Sequence, residues 1–274
     1  MTAVPSPPAT PRPAASVVLV RPGATCPVEV YMIRRQKSMR FLGGFYAFPG
    51  GKVEATDGAA EALERCRGLS AAGAREAFPA ADGIPPLAFW VTAARELVEE
   101  TGLLVGCDAD GRPVDTQDQA GREGVERLRH ALVAGEAPFH ALLAREGWYL
   151  DLAPLRYLSH FITPPSNPIR FTARFFLAPV PAGQEPRLLG GEASEGFWID
   201  PAEGHRRFRA GEMPMAEPAD SGLAYIAGFD ALDEVWAAHA DGRHKFHGIN
   251  DRIEAAGFTI PRGRRVGQDP AAPA

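Results

Sequence analysis

The sequence predicts an α+β fold, a mixed β-sheet with helices packed against it, and three observations carry that prediction. First, β-branched runs at residues 15–20 and 28–33 are joined through Pro22-Gly23, the pattern of an antiparallel hairpin. Second, Leu87–Thr101 is a helical segment in which Trp90, Ala93, Ala94 and Leu97 recur at 3.6-residue spacing. Gly102 follows it where a left-handed cap is expected. Third, strand-like runs return at residues 159–163, 170–180 and 197–199, ahead of a late helix over 225–240. Strands, helix, strands and helix in that order make a mixed sheet, not a regularly alternating parallel fold.

The segments between these elements read as follows. Residues 41–51 form a glycine- and aromatic-rich loop, and residues 57–86 are alanine-rich, predicting one or two helices broken near Pro79 and at Pro85-Pro86. Residues 103–105 restart as a strand. Residues 108–146 turn helical again, most clearly over 121–133 and 138–146, and the prolines of 164–168 mark a turn. The expected organisation is a disordered proline- and alanine-rich leader at 1–14, one domain over 15–240, and an extension at 241–274, partly disordered.

Composition narrows the function classes. The chain has 274 residues, 45% apolar and 23% charged, which is ordinary for a globular protein. A net charge of −5 offers no basic footprint for a nucleic-acid duplex, though a few local cations suffice for a nucleotide. Cys26, Cys66 and Cys107 are far apart and odd in number, so a reducing cytoplasm is the expected compartment. No apolar stretch approaches the roughly 18 residues of a membrane span, and the N-terminus lacks a signal core.

The chemistry concentrates on Leu87–Thr101. Glu96, Glu99 and Glu100 stand at i, i+3 and i+4, so their carboxylates project from one side, opposite Trp90, Ala93, Ala94 and Leu97. Like charges at these spacings cost roughly 0.2–0.5 kcal/mol per pair, and no lysine follows to relieve them. A hard divalent cation would reverse the sign; a solvated acidic face is the alternative. Upstream, Phe48-Pro49-Gly50-Gly51-Lys52-Val53-Glu54 is a turn in which paired glycines allow close backbone approach.

Together the two pieces resemble the Nudix box, G-x5-E-x7-R-E-U-x-E-E-x-G-U, with U bulky and aliphatic. The second half is complete in Arg95, Glu96, Leu97, Glu99, Glu100, Gly102 and Leu103; from Gly51 the spacing leads to Asp57, where the family usually has Glu. The chain departs from the pattern by placing 37 residues between Asp57 and Arg95 where the motif has seven. An insertion of about thirty residues is thermodynamically tolerable because loop-closure cost grows only logarithmically. A split box with Asp at this position resembles the group of peroxisomal coenzyme A diphosphatases. Their upstream signature, L-L-T-x-R-[SA]-x3-R-x3-G-x3-F-P-G-G, is met at Arg35, Arg40 and Gly44, whereas Tyr31-Met32, Ile33 and Gln36 depart from it.

The resemblance implies a Nudix α/β/α sandwich over 15–240, with the insertion at 58–86 and a helical segment at 108–147. It implies hydrolysis of a phosphoanhydride in a nucleoside diphosphate joined to another moiety, with Mg²⁺ or Mn²⁺ as cofactor. Coenzyme A or an acyl-CoA comes first, then ADP-ribose, NADH or a nucleotide sugar; a non-catalytic Nudix-fold nucleotide sensor is the rival class. By analogy Glu99, Glu100 and the carbonyl of Gly50 hold the cation, Glu96 is a ligand or the base, and Arg95 orients the glutamates. Glu192 and Glu195, ahead of Phe197-Trp198, are candidates for a further ligand or base. Arg35, Arg40, Gly44, Gly51 and Arg170 are substrate-side candidates, and family members are often homodimers.

Rival motifs fail on spacing. Gly51-Lys52-Val53 lacks the residues of a P-loop, Asp108-Ala109-Asp110-Gly111 places its glycine too early for a calcium loop, and no histidines stand at zinc spacing.

Overall fold

The computed structural model describes residues 8–80, 83–189, 191–241, 246–249 and 252–254. Strands β1 (Arg12–Pro22) and β2 (Val28–Arg35) form the expected hairpin, in register Val20 to Val30. Short strands β3 (Tyr46–Ala47) and β4 (Gly50–Lys52) follow within the glycine-rich loop. The insertion folds as a 3₁₀ turn at Ala55–Gly58, α1 (Ala60–Glu64), β5 (Cys66–Arg67) and α2 (Ala71–Ala77). Then come α3 (Leu87–Thr101), β6 (Gly106–Cys107), α4 (Gln119–Val133), α5 (Phe139–Arg145) and β7 (Tyr149–Asp151). The second half contains β8 (Arg156–Ile162), β9 (Phe171–Pro179), β10 (Ala193–Ile199) and α6 (Pro201–Arg209). It closes with α7 (Glu217–Ile226), α8 (Leu232–Ala238), β11 (Phe246–Ile249) and β12 (Arg252–Glu254).

The main sheet runs β10-β2-β1-β9-β8-β11-β12, with β3 on β2 and β4 on β1. It is mixed, as expected: β1 is antiparallel to β2 and β4 but parallel to β9 over nine residues, Arg12 to Val20. A strand paired in parallel at the centre of a sheet is covered on both faces, which explains why Ser16-Val17-Val18-Leu19-Val20 is nearly continuously apolar. Alternate residues divide between two cores. Ala15, Val17, Leu19, Tyr31 and Ile33 pack with α3, α4 and α5. Val18, Val20, Val30 and Met32 pack with α7 and its neighbours on the other face. The result is the expected three-layer sandwich.

The insertion is part of the first core. Phe78, just beyond α2, stacks on Trp90 of α3 (ring centroids 5.3 Å, interplanar 6°) and meets Tyr157 at 4.8 Å. It therefore braces the first half of α3 and leaves its second half, with the carboxylates, facing β4.

Several sequence expectations are corrected. Residues 103–105 are buried but form no strand; Leu104 is satisfied by the Gln184 side chain, whose Oε1 accepts from its amide (2.8 Å) and whose Nε2 donates to its carbonyl (3.0 Å). The late helix is two helices, α7 and α8, because the chain turns at 227–231 through Gly228, a poor helix former. That turn packs Phe229 and His239 against Tyr225. β1 starts at Arg12, inside the stretch expected as leader, while residues 1–7 lie outside the described residues. In the expected extension, β11 pairs in parallel with β8 and antiparallel with β12; residues 255–274 lie outside the described residues. Among the described residues no helix is long and apolar enough to cross a membrane.

Candidate active site

The site forms where the second half of α3 meets β4. At Gly51 an added Cβ would lie 2.3 Å from Glu96 Oε1, so only glycine admits the glutamate there. One residue earlier, the Gly50 amide donates to Glu100 Oε2 at 2.8 Å. The two glycines thus let the backbone of β4 touch two carboxylates of α3. Where α3 ends, Gly102 takes φ +74°, the left-handed cap that its position predicts.

Arg95 is the hub. It is 3% exposed, and its fork donates in every direction. Nε and Nη2 reach Asp57 Oδ1 and Oδ2 at 3.0 Å each, a bidentate pair, and Nη2 also donates to the Lys52 carbonyl at 2.8 Å. Nη1 donates to Glu96 Oε1 at 2.9 Å and to both oxygens of Glu99 at 3.2 Å. Asp57, 1% exposed, additionally accepts from Thr92 Oγ1 (2.8 Å) and from the Glu54 amide (3.0 Å). The 37 intervening residues therefore loop out and return, so that Asp57 and Arg95 close across the insertion. The sequence motif placed Asp57 but assigned it no part in the site. The signal was present: Glu54 and Asp57 stand at capping-box spacing, and the structure shows that box formed.

The sequence left two readings of the carboxylates of α3, a cation-binding cluster and, as the alternative, a solvated acidic face. The helix is enclosed: Glu96 is buried, and Glu99 and Glu100 are largely buried along its second half. One guanidinium serves Asp57, Glu96 and Glu99, while Glu100 lies outside its reach, so the cluster carries surplus negative charge. Burial pushes Glu96 up to about 7 despite Arg95, with Glu99 adding to the rise. Burial also raises Glu99 against the pull of Arg95. Glu100 is raised well above the usual carboxylate range, first by burial and then by Glu96 and Glu192, with the Gly50 amide and Arg35 opposing. For Arg95 burial opposes the charge, yet the Asp57 hydrogen bond and the fields of Glu96, Asp57 and Glu99 outweigh it, so its pKa is raised.

The remaining candidates divide. Arg35 and Glu192 both lie within electrostatic range of Glu100, and the Gln36 amide donates to the Glu192 carbonyl (2.8 Å), tying the two segments together. Gly44, at φ +80°, closes the turn after β2 by donating to the Arg35 carbonyl, and Arg40 is exposed in that turn. Glu195 is not brought into the cluster. It pairs at 4.0 Å with Arg34, which points to the sheet face opposite Tyr31, Ile33 and α3. Glu192 precedes β10, and the register of β10 on β2 shifts between Ala193 and Glu195, which separates two glutamates only three residues apart. The cluster's geometry predicts that Glu192→Gln lowers kcat/KM by about tenfold whereas Glu195→Gln stays within about twofold of wild type. Steady-state rates of the purified variants check this, and equal losses would overturn the assignment by face.

Arg170 is set further away. It donates to the Thr163 carbonyl (2.9 Å) and the Ala9 carbonyl (2.7 Å). With Arg12, Ile84 and Ile169 it lines a cavity of about 560 Å³. Pro13, on the same wall, accepts from the Val53 amide (3.0 Å), so the cavity adjoins the turn that leads from β4 to Asp57.

Comparison with known proteins fits this geometry. No protein-family model matches the chain. A crystal structure of a Nudix hydrolase from Alicyclobacillus acidocaldarius superposes with a TM-score of 0.70 at 34% identity, covering 83% of this chain and 96% of that one. The chain belongs to the Nudix hydrolase family. Among curated proteins, this Nudix hydrolase is 29% identical over 257 residues to the Gallus gallus acyl-coenzyme A diphosphatase NUDT19. That match covers 80% of this chain and spans 66% of the length of the chicken protein. The Nudix sandwich and the pyrophosphohydrolase family expected from the split motif are thereby borne out.

Proposed function

We propose that this Nudix hydrolase cleaves the phosphoanhydride of coenzyme A or an acyl-CoA in a reaction that depends on Mg²⁺ or Mn²⁺. The observation that carries this reading is the junction of Gly50-Gly51 with Arg95, Glu96, Glu99 and Glu100, reassembled across the insertion. The name of the chicken relative and the Arg35, Arg40 and Gly44 spacing support the substrate choice.

The residues present fit a hard cation. The donor set is all oxygen, and its four carboxylates share one guanidinium that reaches only three of them, an excess that a divalent cation offsets. Among the described residues no three metal-ligating side chains yet converge, because Glu96 and Glu99 turn to Arg95 and Glu100 to the Gly50 amide. Glu99, Glu100 and the Gly50 carbonyl would hold the ion, with Glu192 within electrostatic range of Glu100. When bound, such an ion neutralises pyrophosphate charge and lowers the pKa of attached water.

The chain's own residues do the rest. Glu96, raised to about 7 by burial, is placed to take a proton from the attacking water. Arg95 restrains Glu96 and Glu99 from one side, limiting the rotamers they lose on binding. Arg35, within electrostatic range of Glu100, and Arg40, exposed in the turn after β2, would offer the fork geometry that phosphate oxygens prefer. Arg170 and Arg12 would meet a more remote part of the substrate.

A product-resolved screen tests the reading, using coenzyme A, acyl-CoA, NADH, ADP-ribose and a nucleotide sugar, with Mg²⁺, Mn²⁺ or EDTA. Water attack on the coenzyme A pyrophosphate yields adenosine 3′,5′-bisphosphate and 4′-phosphopantetheine. The expected result is those products, highest kcat/KM for coenzyme A or acyl-CoA, and none in EDTA. Faster turnover of ADP-ribose or NADH reassigns the substrate, and binding of any of them without turnover identifies a sensor.

A further inference from the structure

Helix α4 contributes one charged residue to the first core. Val125, Leu128, Arg129 and Leu132 occupy i, i+3, i+4 and i+7, a single apolar stripe, and all four are buried. A leucine or methionine would fill the Arg129 position without desolvating a charge. The residue is nevertheless only 5% exposed, and burial lowers its pKa to about 10. Such a placement is costly unless the donors are used.

They are used at the end of α3. Arg129 Nε and Nη2 donate to the Glu99 carbonyl at 3.2 and 3.0 Å. A helix C-terminus leaves its last carbonyls without internal partners, and cations are favoured there. The neighbouring carbonyls are satisfied separately: Val98 by the Gly102 amide, Leu97 by Thr101 Oγ1, and Thr101 by the Arg187 amide at 2.7 Å. Arg129 also fills the space beside Gly102, where an added Cβ would lie 2.8 Å from Nη1. One fork therefore fixes the peptide that joins Glu99 to Glu100, the two carboxylates at the centre of the site.

We infer that Arg129 is a positioning residue for the reaction, holding the last turn of α3 so that Glu99 and Glu100 present their carboxylates together. The helical segment at 108–147, outside the Nudix motif, is on this account part of the active-site apparatus. The inference rests on the reading of Glu99 and Glu100 as cation ligands.

Arg129→Met keeps the volume and removes both donors; Arg129→Lys keeps the charge but not the fork. Each full-length variant is compared with wild type in three ways: Mn²⁺ titration by electron paramagnetic resonance, kcat and KM for coenzyme A at saturating Mg²⁺, and thermal unfolding by circular dichroism. The Met variant is expected to bind Mn²⁺ about tenfold more weakly and to lose about 10–100-fold in kcat, with KM within about threefold. The Lys variant should regain thermal stability but only part of the affinity and kcat. A folded Met variant with wild-type Mn²⁺ affinity and kcat overturns the inference. Should the Met variant not fold, the Lys variant decides alone, and wild-type affinity and kcat in it overturn the inference equally. A wild-type chain that binds no Mn²⁺ sinks the cation reading together with this one, a result distinct from either variant outcome.

Discussion

Glu99→Gln and Glu100→Gln should each lower kcat by at least about 10²–10³-fold while leaving the fold in place. Both substitutions keep the side-chain volume and one acceptor oxygen. After Glu100→Gln, the side-chain amide oxygen can still receive the Gly50 amide that Glu100 Oε2 receives at 2.8 Å. After Glu99→Gln, one oxygen remains to accept from Arg95 Nη1, which reaches both Glu99 oxygens at 3.2 Å. Each variant loses one negative charge from a cluster that carries too many, so stability should hold or rise slightly. A hard cation, by contrast, binds a neutral amide far less well than a carboxylate. Mg²⁺-dependent release of products, measured beside a thermal melt, separates loss of chemistry from loss of structure. Near-wild-type rates in both variants would remove the reading of these residues as ligands; a collapsed melt would instead assign them a structural role.

Asp57→Ala should be the most destabilising single change at the site. It strips a bidentate partner from an arginine that is 3% exposed and leaves the Glu54 amide without its side-chain acceptor, while Thr92 Oγ1 falls back on the Ala88 carbonyl at 2.9 Å. Breaking a buried ion pair by removing one partner costs about 3–5 kcal/mol. At about 2–4 °C per kcal/mol for chains of this size, Tm should fall by roughly 6–20 °C. Activity should fall further than stability explains, because Arg95 would no longer be held against Glu96 and Glu99. Asp57→Asn, which keeps an acceptor for Arg95 Nε, should lie between the two. A Tm within about 2 °C of wild type for the alanine variant would show that the pair contributes little.

Much of the site was legible because its signals are local. Glu96, Glu99 and Glu100 share a turn of helix, and Gly102 caps that helix, so i+3 and i+4 geometry fixes their relation wherever the helix sits. The hairpin of β1 and β2 was legible for the same reason, through period-2 apolar runs and a proline-glycine turn. The strand expected at 103–105 misled because a buried apolar run does not reveal its hydrogen-bond partner; here a glutamine side chain from 80 residues away supplies it. The late helix misled at Gly228, where packing of Phe229 and His239 onto Tyr225 outweighs helical periodicity.

By itself, then, the sequence determined the helix Leu87–Thr101, its acidic triplet, the paired glycines that meet it and the family to which the chain belongs. Those features are set by contacts within a few residues or by a motif that survives interruption. Only the tertiary structure decided that Asp57 returns across 37 residues to hold Arg95, that Glu192 comes within electrostatic range of Glu100 while Glu195 pairs with Arg34, and that Arg129 caps the helix from a separate segment. Each of these depends on which sheet face or helix stripe meets which partner. Burial and long-range pairing settle that only when the whole chain has packed.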